Sequence, residues 1–592
     1  MKPKEKFSII TWRLLDKAVF LILIFTVSFH FGTNAQEFVF LHTDKSDYVS
    51  GENIQFKAYL SNLSDIDPKL KSKIVYFQLL GPDKSKISGL RANIDSGIYT
   101  GYISLPISLK SGYYCLNAYT NAMRNYPWPC TFYKKILIVN QNENQYDSIL
   151  NLSVVNYNEF GVMKGLNQNI EKQNCTVESD KNIYHPKDKI KLKLKLINYP
   201  DQDETCNLSV SVTKLSPFCD TSETESLVKY YDRVNSIWKN LYKEKQYNYG
   251  KYLVEKNSFI FSGKVFNKLD KTPLSNVTVL LASPDSIANL QYYKTGNDGA
   301  FYFELKKFYD NRLLNLQLLD SSSVVPEYYF IIDNRDIQFQ VHSDSLINLT
   351  MAERNYLENI QRLVLVNKIY FQKKEQSEIS GLTPEFNFYG SSDRDLIPSD
   401  YEAMLNFSEM TRNYVWGVRF KNIKNNYYLN MIDYEVNEYQ DKNALFLLNS
   451  IPVFRLNVLE SLNSESIQKI EMKNKHVIFG DLNFYGIFSV QMDKKLSSEI
   501  FSKLNLPFFE NKVMPESFIG NITLDLSRQS IGDKIPDFRQ VLYWEPNIKL
   551  NKGNETEIEF SASDLKAGYI IQVQGITSDN KPIYGKTFIE VK

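Results

Sequence analysis

Two stretches of the chain alternate apolar with more polar residues, at residues 54–60 and 190–196. The apolar positions are Ile54, Phe56, Ala58 and Leu60 in the first stretch and Ile190, Leu192, Leu194 and Leu196 in the second. A period of two is typical of a β-strand with one buried face. Both stretches therefore predict half-buried strands.

The two strands follow the same short pattern, Asp-Lys-x-x-Tyr and then a turn, at a constant offset along the chain. The matching residues are Asp44, Lys45, Tyr48 and Ile54 in the first copy and Asp180, Lys181, Tyr184 and Ile190 in the second. The distance between the copies is too long for a solenoid repeat. It suits two copies of a β-sandwich of roughly 100 residues.

Three lysines occupy the polar positions of the second strand: Lys191, Lys193 and Lys195. A row of lysines at alternate positions is typical of a solvated strand face that discourages pairing at a sheet edge. A ligand-binding role for these lysines is the alternative.

A third β-rich segment covers residues 258–345. Pro273-Leu274 leads into a predicted strand, and Asn297-Asp298-Gly299 predicts a tight turn into a strand that carries Phe301 and Phe303. Asp-Gly between apolar runs is a strong hairpin signal. The segment predicts a small sandwich.

Two connecting segments have helical patterns. Residues 220–257 are polar and rich in Tyr and Lys, and we interpret them as a connector with a helical stretch. In residues 350–372, Tyr356, Ile360, Leu363 and Val366 approximate one stripe. That stripe predicts a helix packed on its neighbour.

The first 35 residues differ from the rest of the chain. A basic lead is followed by an apolar run of 14 residues at 18–31 and by small residues up to Ala35. This pattern is typical of a secretory signal cleaved between Ala35 and Gln36. The alternative is a membrane anchor, but 14 residues fall short of the roughly 20 that span a bilayer. We expect no membrane-spanning segment in the mature chain.

The net charge excludes some classes of partner, and the cysteine spacing excludes a C-x-x-C metal or redox site. Without those 35 residues the chain has 64 basic and 66 acidic residues, so bulk charge recruits neither nucleic acid nor an anionic membrane. None of the five cysteines forms a C-x-x-C pair. Cys115 and Cys130 flank a predicted hairpin, and either a disulfide or two buried thiols fits them.

The Asp-Lys-x-x-Tyr start with its turn and strand resembles the macroglobulin-like domain of Gram-negative envelope proteins. The Cys-Gly-Glu-Gln segment of thioester protease traps is absent, so covalent trapping is not expected. Residues 258–345 resemble the carboxypeptidase regulatory-like domain, which implies a non-catalytic accessory fold without a zinc site.

A fourth segment resembles the plug domain of TonB-dependent outer-membrane transporters. The matching positions are Leu447, Leu448, Ile451, Pro452 and Val453 in a first strand, Ile467, Ile470 and Glu471 in a second, and Gly480 and Gly486 in a glycine-rich hairpin. Asn449-Ser450 replaces the usual Asp-Gly, which predicts a different local turn. The 97 residues after Lys495 are too few for a transporter barrel of about 22 strands.

The predicted fold class is mainly β, with serial sandwiches and a small α+β plug-like domain. The predicted segments are 1–35 signal peptide, 36–142 and 143–219 macroglobulin-like sandwiches, 220–257 connector, 258–345 regulatory-like sandwich, 346–400 helical connector, 401–500 plug-like domain and 501–592 C-terminal β-domain.

The sequence contains no recognisable motif for catalysis, cofactor binding or metal binding. The four histidines beyond the signal segment, His42, His185, His342 and His476, are scattered. The acid pairs Asp65/Asp67 and Asp333/Asp336 lack the spacing of a calcium loop. The pairs Tyr126/Trp128 and Tyr543/Trp544 would either stack on sugars or pack in a core.

These observations predict a non-enzymatic, exported scaffold or binding protein of the periplasm or outer membrane, without a cofactor. Its expected partner is an outer-membrane protein or complex, such as a TonB-dependent transporter, reached through exposed sheet edges. A glycan- or nutrient-binding accessory of an importer, and a hydrolase with an unrecognised site, are the rival hypotheses.

Overall fold

A computed structural model of the chain describes seventeen separate stretches of backbone. They are residues 37–63, 71–83, 85–94, 96–126, 130–143, 146, 148–154, 173–197, 206–218, 226–244, 251–319, 327–334, 341–370, 386–512, 514, 537–550 and 555–592. Within these, side chains at 151–154, 241–244, 341–345 and 367–370 are not described.

Strands dominate these residues, as the alternating patterns predict. In chain order they are β1 (Glu37–Thr43), β2 (Asp47–Val49), β3 (Asn53–Asn62), β4 (Ile74–Leu80), β5 (Lys86–Asn93), β6 (Ile98–Ser104), β7 (Gly112–Thr120), β8 (Phe132–Val139), β9 (Ser148–Val154), β10 (Cys175–Ser179), β11 (Ile183–Tyr184), β12 (Lys189–Leu196), β13 (Cys206–Lys214), β14 (Phe259–Asn267), β15 (Thr278–Ala282), β16 (Leu290–Lys294), β17 (Ala300–Leu305), β18 (Leu313–Leu318), β19 (Tyr328–Ile332), β20 (Val341–Asn348), β21 (Arg394–Leu396), β22 (Val418–Ile423), β23 (Asn426–Asp433), β24 (Glu438–Tyr439), β25 (Leu445–Leu448), β26 (Ile451–Pro452), β27 (Ile467–Phe479), β28 (Leu482–Met492), β29 (Phe508–Glu510), β30 (Val541–Leu550), β31 (Glu555–Ser561), β32 (Ala567–Thr577) and β33 (Pro582–Val591).

Helices are fewer. The α-helices are α1 (Leu227–Glu244), α2 (Met351–Tyr370), α3 (Phe407–Asn413) and α4 (Lys494–Lys503), and short 3-10 helices cover Ala122–Asn125, Lys307–Tyr309, Pro398–Asp400, Leu456–Ser461 and Ser464–Ser466. No helix in the described ranges is long and apolar enough to cross a membrane.

The chain divides into two compact units. Unit 1 comprises Met1–Asn257, Asp336–Glu375 and Met514–Lys592, and unit 2 comprises Ser258–Arg335 and Gln376–Val513. The predicted signal segment and its cleavage residues Ala35 and Gln36 lie outside the described residues.

Unit 1 begins with a first sandwich. One sheet has the order β1-β3-β6, and the other has the order β2-β8-β7-β4-β5 with β9 and β20 attached. Phe56 of β3 meets Phe77 of β4 in the core, with ring centroids 4.7 Å apart. The pairs β4–β5 and β7–β8 are antiparallel, and β7–β8 is the hairpin predicted beside Cys115 and Cys130.

The second sandwich differs from the predicted domain boundaries. Its sheets are β10-β12-β31 and β11-β33-β32-β13-β30, so the C-terminal strands complete it instead of forming a separate domain. Leu192 of β12 pairs with Ile558 of β31, and Val210 of β13 pairs with Val573 of β32. The apolar faces of β12 and β13 are buried in one core with these late strands, which lie at the far end of the sequence.

Strands β9 and β20 also lie outside the domains predicted for them. Strand β9, which the sequence places at the start of the second sandwich, lies in a sheet of the first one, where it pairs with β7 and β20. Strand β20 falls mostly within the predicted regulatory-like segment, but it belongs to unit 1.

The two long helices pack on unit 1 and do not act only as connectors. Tyr230 of α1 is buried against Phe40 and Phe132 of the first sandwich. The buried stripe of α2 consists of Leu357, Ile360 and Val364, so its centre lies one residue away from the predicted stripe.

Unit 2 contains a third sandwich with the sheets β17-β14-β19 and β16-β15-β18-β29. The turn at Gly296–Gly299 is present, and Gly299 has a φ of +72°. It does not close a hairpin, because β16 and β17 lie in different sheets. Strand β29 lies beyond residue 500, so the predicted C-terminal domain is shared between both units.

The rest of unit 2 is an α+β module. Its main sheet has the order β21-β27-β28-β25-β26, and a three-stranded sheet β22-β23-β24 lies in the same module. The predicted hairpin is β27–β28, and β25 runs parallel to β28. The module starts before residue 401, since Tyr389 and Leu396 belong to its core.

Candidate partner-binding surface

The two cysteines predicted to flank a hairpin are both buried and free in the structure. Cys115 lies in a small cluster with Leu80, whereas Cys130 lies in the main core of the first sandwich. The two side chains therefore lie in different clusters. The structure shows two buried thiols and no disulfide between them. Burial raises the pKa of each thiol to about 12.

The aromatic pairs proposed to stack on sugars are used in packing where they are described. Tyr126 is buried edge-on against Trp238 at 4.1 Å, and Trp128 lies outside the described residues. Tyr543 stacks on Phe560 at 5.1 Å, and Trp544 is half-buried beside His42 at 5.2 Å. Each of the three described rings therefore packs against another aromatic ring.

The lysine row is a solvated face, as predicted, but β12 lies between β10 and β31, so the row does not protect a sheet edge. Three ion pairs of 2.8 Å join it to strand β31: Lys189 to Glu559, Lys193 to Glu555 and Lys195 to Glu555. Hydrogen bonds from Lys193 and Lys195 hold the pKa of Glu555 at about 2. These ion pairs join β12 to β31. The ammonium groups of Lys189, Lys193 and Lys195 are therefore already paired and are not free to bind an anionic ligand.

The histidines do not converge. The ring of His185 contacts the backbone oxygen of Lys592 at 3.3 Å, and His476 lies against Tyr485. The side chain of His342 is not described, and neither are Asp65, Asp67 and Asp336. Asp333 accepts a hydrogen bond of 2.7 Å from Ser262. Across the described ranges no three His, Cys, Asp or Glu side chains group as metal ligands.

His42 takes part in a buried polar contact between the first and second sandwiches. Its Nδ1 lies 2.6 Å from Ser209 Oγ, and its Nε2 lies 3.1 Å from Ser211 Oγ. Burial, helped by the charges of Lys134 and Lys57, lowers the pKa of His42 well below its usual value. A neutral imidazole has one donor and one acceptor, which the two hydroxyls satisfy. Because these groups are sealed from solvent, the contact is structural.

Lys57 and Tyr59 complete this polar contact from strand β3. The ammonium of Lys57 donates to Asn207 Oδ1 and to the backbone oxygens of Leu208 and Pro546. The hydroxyl of Tyr59 lies 2.7 Å from Ser209 Oγ. Burial lowers the pKa of Lys57 to about 7, with the carboxylate of Glu545 acting in the opposite direction.

An exposed aromatic surface lies on the α+β module, at residues that the sequence did not single out. Trp416 is 65% exposed, whereas Trp238 is buried and Trp544 half-buried. Tyr434 is 55% exposed and Tyr401 is 46% exposed. Together with Arg394 we call Trp416, Tyr434 and Tyr401 the aromatic surface.

Helix α3 and the loop that follows it fix Trp416 in an exposed position. Helix α3 starts with the N-cap Asn406, whose Oδ1 accepts from the amide of Glu409, and Glu409 Oε2 accepts from the amide of Leu405, the residue before the cap. After this helix, Val415 is fully buried and anchors the loop. The indole nitrogen of Trp416 donates to the backbone oxygen of Asn413 at 3.1 Å, which fixes the ring.

Gly417 brings Tyr434 next to Trp416. Its φ of +82° is in the left-handed region that favours glycine. A Cβ at this position would lie 2.5 Å from the hydroxyl of Tyr434. Only glycine therefore allows Tyr434 to lie over this turn.

Arg394 and Tyr414 connect the remaining parts. The guanidinium of Arg394 lies 5.8 Å from the Trp416 ring centroid, and it donates to the backbone oxygens of Tyr414 and Trp416 at 3.4 and 3.5 Å. Tyr401 stacks on Tyr414 with centroids 4.6 Å apart and ring planes 12° apart. Tyr401 is therefore linked to Arg394 and Trp416 through the buried Tyr414, and Tyr434 lies over Gly417, the residue after Trp416.

Such a surface is suited to recognition. Trp, Tyr and Arg are the residues most enriched in binding hot spots, because they combine a large apolar face with hydrogen-bonding groups. Single exposed apolar residues need no explanation, but exposed large aromatics that lie near one another form a candidate interaction surface. The sequence signal that could have found it is the Trp-Gly step at Trp416-Gly417.

No protein-family model matches the chain, and no curated protein matches it. Solved structures match weakly. They include α-2-macroglobulin of Salmonella reacted with methylamine (9% identity, 94% of this chain, 39% of that chain, TM-score 0.22) and trypsin-activated α-2-macroglobulin of Escherichia coli (10%, 95%, 42%, 0.23). The adhesin InvE of Yersinia pseudotuberculosis also matches (10%, 51%, 61%, 0.12). The chain spans about two fifths of the length of these macroglobulins, and TM-scores this low carry no argument about function.

Proposed function

We propose that this chain is an exported binding protein without catalytic activity, which holds an outer-membrane protein or complex through the aromatic surface. The observation that carries the proposal is the exposed Trp416, with Arg394 beside its ring and the exposed Tyr434 over the following Gly417. The sandwiches of the two units act as scaffold in this proposal, and the binding residues belong to the α+β module of unit 2.

Two sequence features support the location and the partner. The pattern of residues 1–35 is typical of a secretory signal, which supports export. The resemblance of residues 401–500 to a transporter plug supports a partner among outer-membrane proteins, including TonB-dependent transporters. The contact of His42 with Ser209 does not support the hypothesis of a hydrolase, because this pair is sealed between the two sandwiches of unit 1.

Binding of a glycan is the second candidate, and the same Trp416 favours it, since an exposed indole can stack on a sugar ring. Of the two aromatic pairs considered for this role from the sequence, Tyr543 and Trp544 are used in packing. Substitution of Trp544 would therefore report on stability and not on binding.

The test uses the full chain as bait on detergent-solubilised outer membranes, with recovered proteins identified by mass spectrometry. A central Trp→Ala change costs about 2 kcal/mol or more, which corresponds to about 30-fold in affinity. We expect Trp416→Ala to lower recovery of the partner at least tenfold. Phe588→Ala, at an exposed aromatic of unit 1, is the matched control and should leave recovery unchanged.

Equal recovery with both variants, or no outer-membrane protein with either, contradicts the proposal. A glycan array probed with the same two proteins separates the candidates. Array binding that is lost only in Trp416→Ala, without a recovered protein, replaces the protein partner by a glycan.

A further inference from the structure

Strand β22, which starts two residues after Trp416, lies at an edge of its sheet. In the described part of the chain it pairs only with β23. The two strands form a hairpin closed by Lys424 and Asn425, which both have positive φ (51° and 65°). Two left-handed residues are the hallmark of a type I′ turn, which fixes the hydrogen-bonding register of the hairpin.

The register decides which backbone groups point away from the hairpin. In a two-residue hairpin the pair that flanks the turn, Ile423 and Asn426, is hydrogen-bonded, and hydrogen-bonded pairs recur at every second residue. The N–H and C=O groups of Val418, Phe420 and Asn422 therefore point to the open edge. Among the described residues none is hydrogen-bonded to these backbone groups.

Side chains along β22 divide between two faces. Phe420 faces the module and meets Phe407 of α3 at 5.3 Å. Arg419 and Lys421 lie on the opposite, exposed face. That face continues into Tyr434 at the end of β23, so it adjoins the aromatic surface.

The exposed face is cationic along this edge. Arg419 lies 3.4 Å from the ring centroid of Tyr439, and within the described ranges neither Arg419 nor Lys421 forms a salt bridge. Lysine and arginine at an edge repel a like-charged strand. A second copy of this chain pairing through its own β22 would bring the same cations together, so a second copy is a poor occupant.

We propose that β22 accepts an extended acidic segment of the partner protein as an added strand, beside Trp416. This inference rests on the proposed function and names the chemistry of the partner. The open backbone groups of β22 select an extended polypeptide, as in β-augmentation. Acidic side chains at alternate positions of the added strand would lie beside Arg419 and Lys421, where opposite charges on neighbouring strands are favourable.

The first test uses two fluorescent peptides of equal length, one alternating Thr with Glu and the other alternating Thr with Lys. The full chain should bind the acidic peptide at low salt and bind the basic one at least tenfold more weakly. The double variant Arg419→Glu/Lys421→Glu should reverse this preference. Lys294→Glu, at an exposed lysine of β16, is the matched control and should keep the preference of the unmodified chain.

The second test measures amide hydrogen exchange with the acidic peptide bound. The amides of Val418, Phe420 and Asn422 should gain protection, and those of Arg419 and Lys421, which already face β23, should change little. A preference that survives charge reversal, or unchanged exchange at 418–423, overturns the inference. If the inference fails while Trp416→Ala still abolishes recovery of the membrane partner, the proposed function stands without it.

Discussion

The hydroxyl of Tyr48 donates a hydrogen bond of 2.7 Å to Oδ1 of Asp44. The same contact recurs in the second copy of the sequence pattern, where Tyr184 donates to Oδ1 of Asp180 at 2.7 Å. In both copies the aspartate also accepts from a backbone amide of the following long strand, that of Gln55 at 3.1 Å or of Lys191 at 2.9 Å. The repeated sequence pattern is therefore a repeated structural device that ties the start of each sandwich to its first long strand.

The aspartates of the two copies differ in burial. Asp44 is enclosed, and desolvation raises its pKa to about 6, against the opposing effects of Lys45, Tyr48 and the amide of Gln55. Asp180 is exposed; its slight desolvation is outweighed by hydrogen bonds from Lys191 and Tyr184, which keep its pKa below the usual value. We therefore expect the tyrosine–aspartate hydrogen bond to contribute more to the free energy of unfolding in the first copy than in the second.

Removal of the two hydroxyls should reveal this difference. Tyr48→Phe leaves the buried Asp44 short of a donor, and we expect a loss of about 2–3 kcal/mol in the free energy of unfolding. Tyr184→Phe leaves an aspartate that water can reach, and we expect a loss of about 0.5–1 kcal/mol. Urea unfolding at pH 7 measures both. Equal losses would contradict the role assigned to burial.

Asp44 should also make stability depend on pH. Its folded pKa of about 6 exceeds the unfolded value of 3.8, so between these values the folded chain holds the proton more strongly. Stability from this group therefore falls as pH rises from 4 to 6, by up to about 3 kcal/mol, and stays lower above pH 6. Asp44→Asn keeps an acceptor for Tyr48 and removes the ionisation.

We expect Asp44→Asn to gain stability relative to the unmodified chain as pH rises from 4 to 6.5, measured by urea unfolding at several pH values. Other acids also titrate in this range, and the difference between the two proteins isolates Asp44. A difference that is constant with pH would show that Asp44 is not protonated in the folded chain.

Local patterns predicted strands well, but they did not predict which strands share a sheet. The apolar positions of β12 are buried as their alternation indicates. Their neighbour β31 lies near the other end of the chain, and nothing in the period of either strand specifies the other. Domain boundaries drawn along the chain therefore failed where the C-terminal strands complete the second sandwich.

The candidate surface was missed for a different reason. The aromatic pair considered at the sequence level, Tyr543 and Trp544, has one side chain on each face of an alternating strand, and each ring packs against another ring. Trp416 lies in a loop without periodicity, and its exposure depends on the buried anchor Val415 and the left-handed Gly417. Such loop geometry is set by tertiary contacts.

Lys57 provides a second pH dependence, with the opposite sign. Its folded pKa of about 7 lies below the ordinary lysine value of 10.5, so below pH 7 both states are charged and the full cost of burying the charge is present. As pH rises from 7, the folded chain loses this proton first and the cost is relieved. We expect this group to raise stability by about 2 kcal/mol between pH 7 and pH 9.

Lys57→Met should remove this gain, and the comparison of urea unfolding at pH 7 and pH 9 measures it. Lys549→Met, at an exposed lysine of β30, is the matched control and should keep the gain. The variant at position 57 should also be less stable than the unmodified chain at pH 9, because the backbone oxygens of Leu208 and Pro546 lose their donor. A gain that persists in Lys57→Met would assign it to another group.

Asn449-Ser450, which replaces the usual Asp-Gly, keeps a left-handed turn: the φ angles are 44° and 70°. Asparagine tolerates this region, and side-chain contacts hold both residues. Asn449 Nδ2 donates to the backbone oxygen of Met492 at 3.0 Å and to Ser497 Oγ at 2.9 Å, and Oδ1 accepts from the amide of Met492 at 2.9 Å. Ser450 Oγ lies 2.9 Å from the backbone oxygens of Asp285 and Ile287.

Restoring the usual dipeptide should therefore lower stability. In Asn449→Asp/Ser450→Gly the glycine relieves about 1 kcal/mol of left-handed strain. The aspartate cannot donate to Met492 or Ser497, and the buried carboxylate and the lost hydroxyl cost more, about 2–4 kcal/mol together. We expect a net loss of about 1–3 kcal/mol by urea unfolding, while Ser450→Gly alone should stay within about 1 kcal/mol of the unmodified chain. A double variant more stable than the unmodified chain would mean that the turn conformation, and not the side-chain contacts, governs this hairpin.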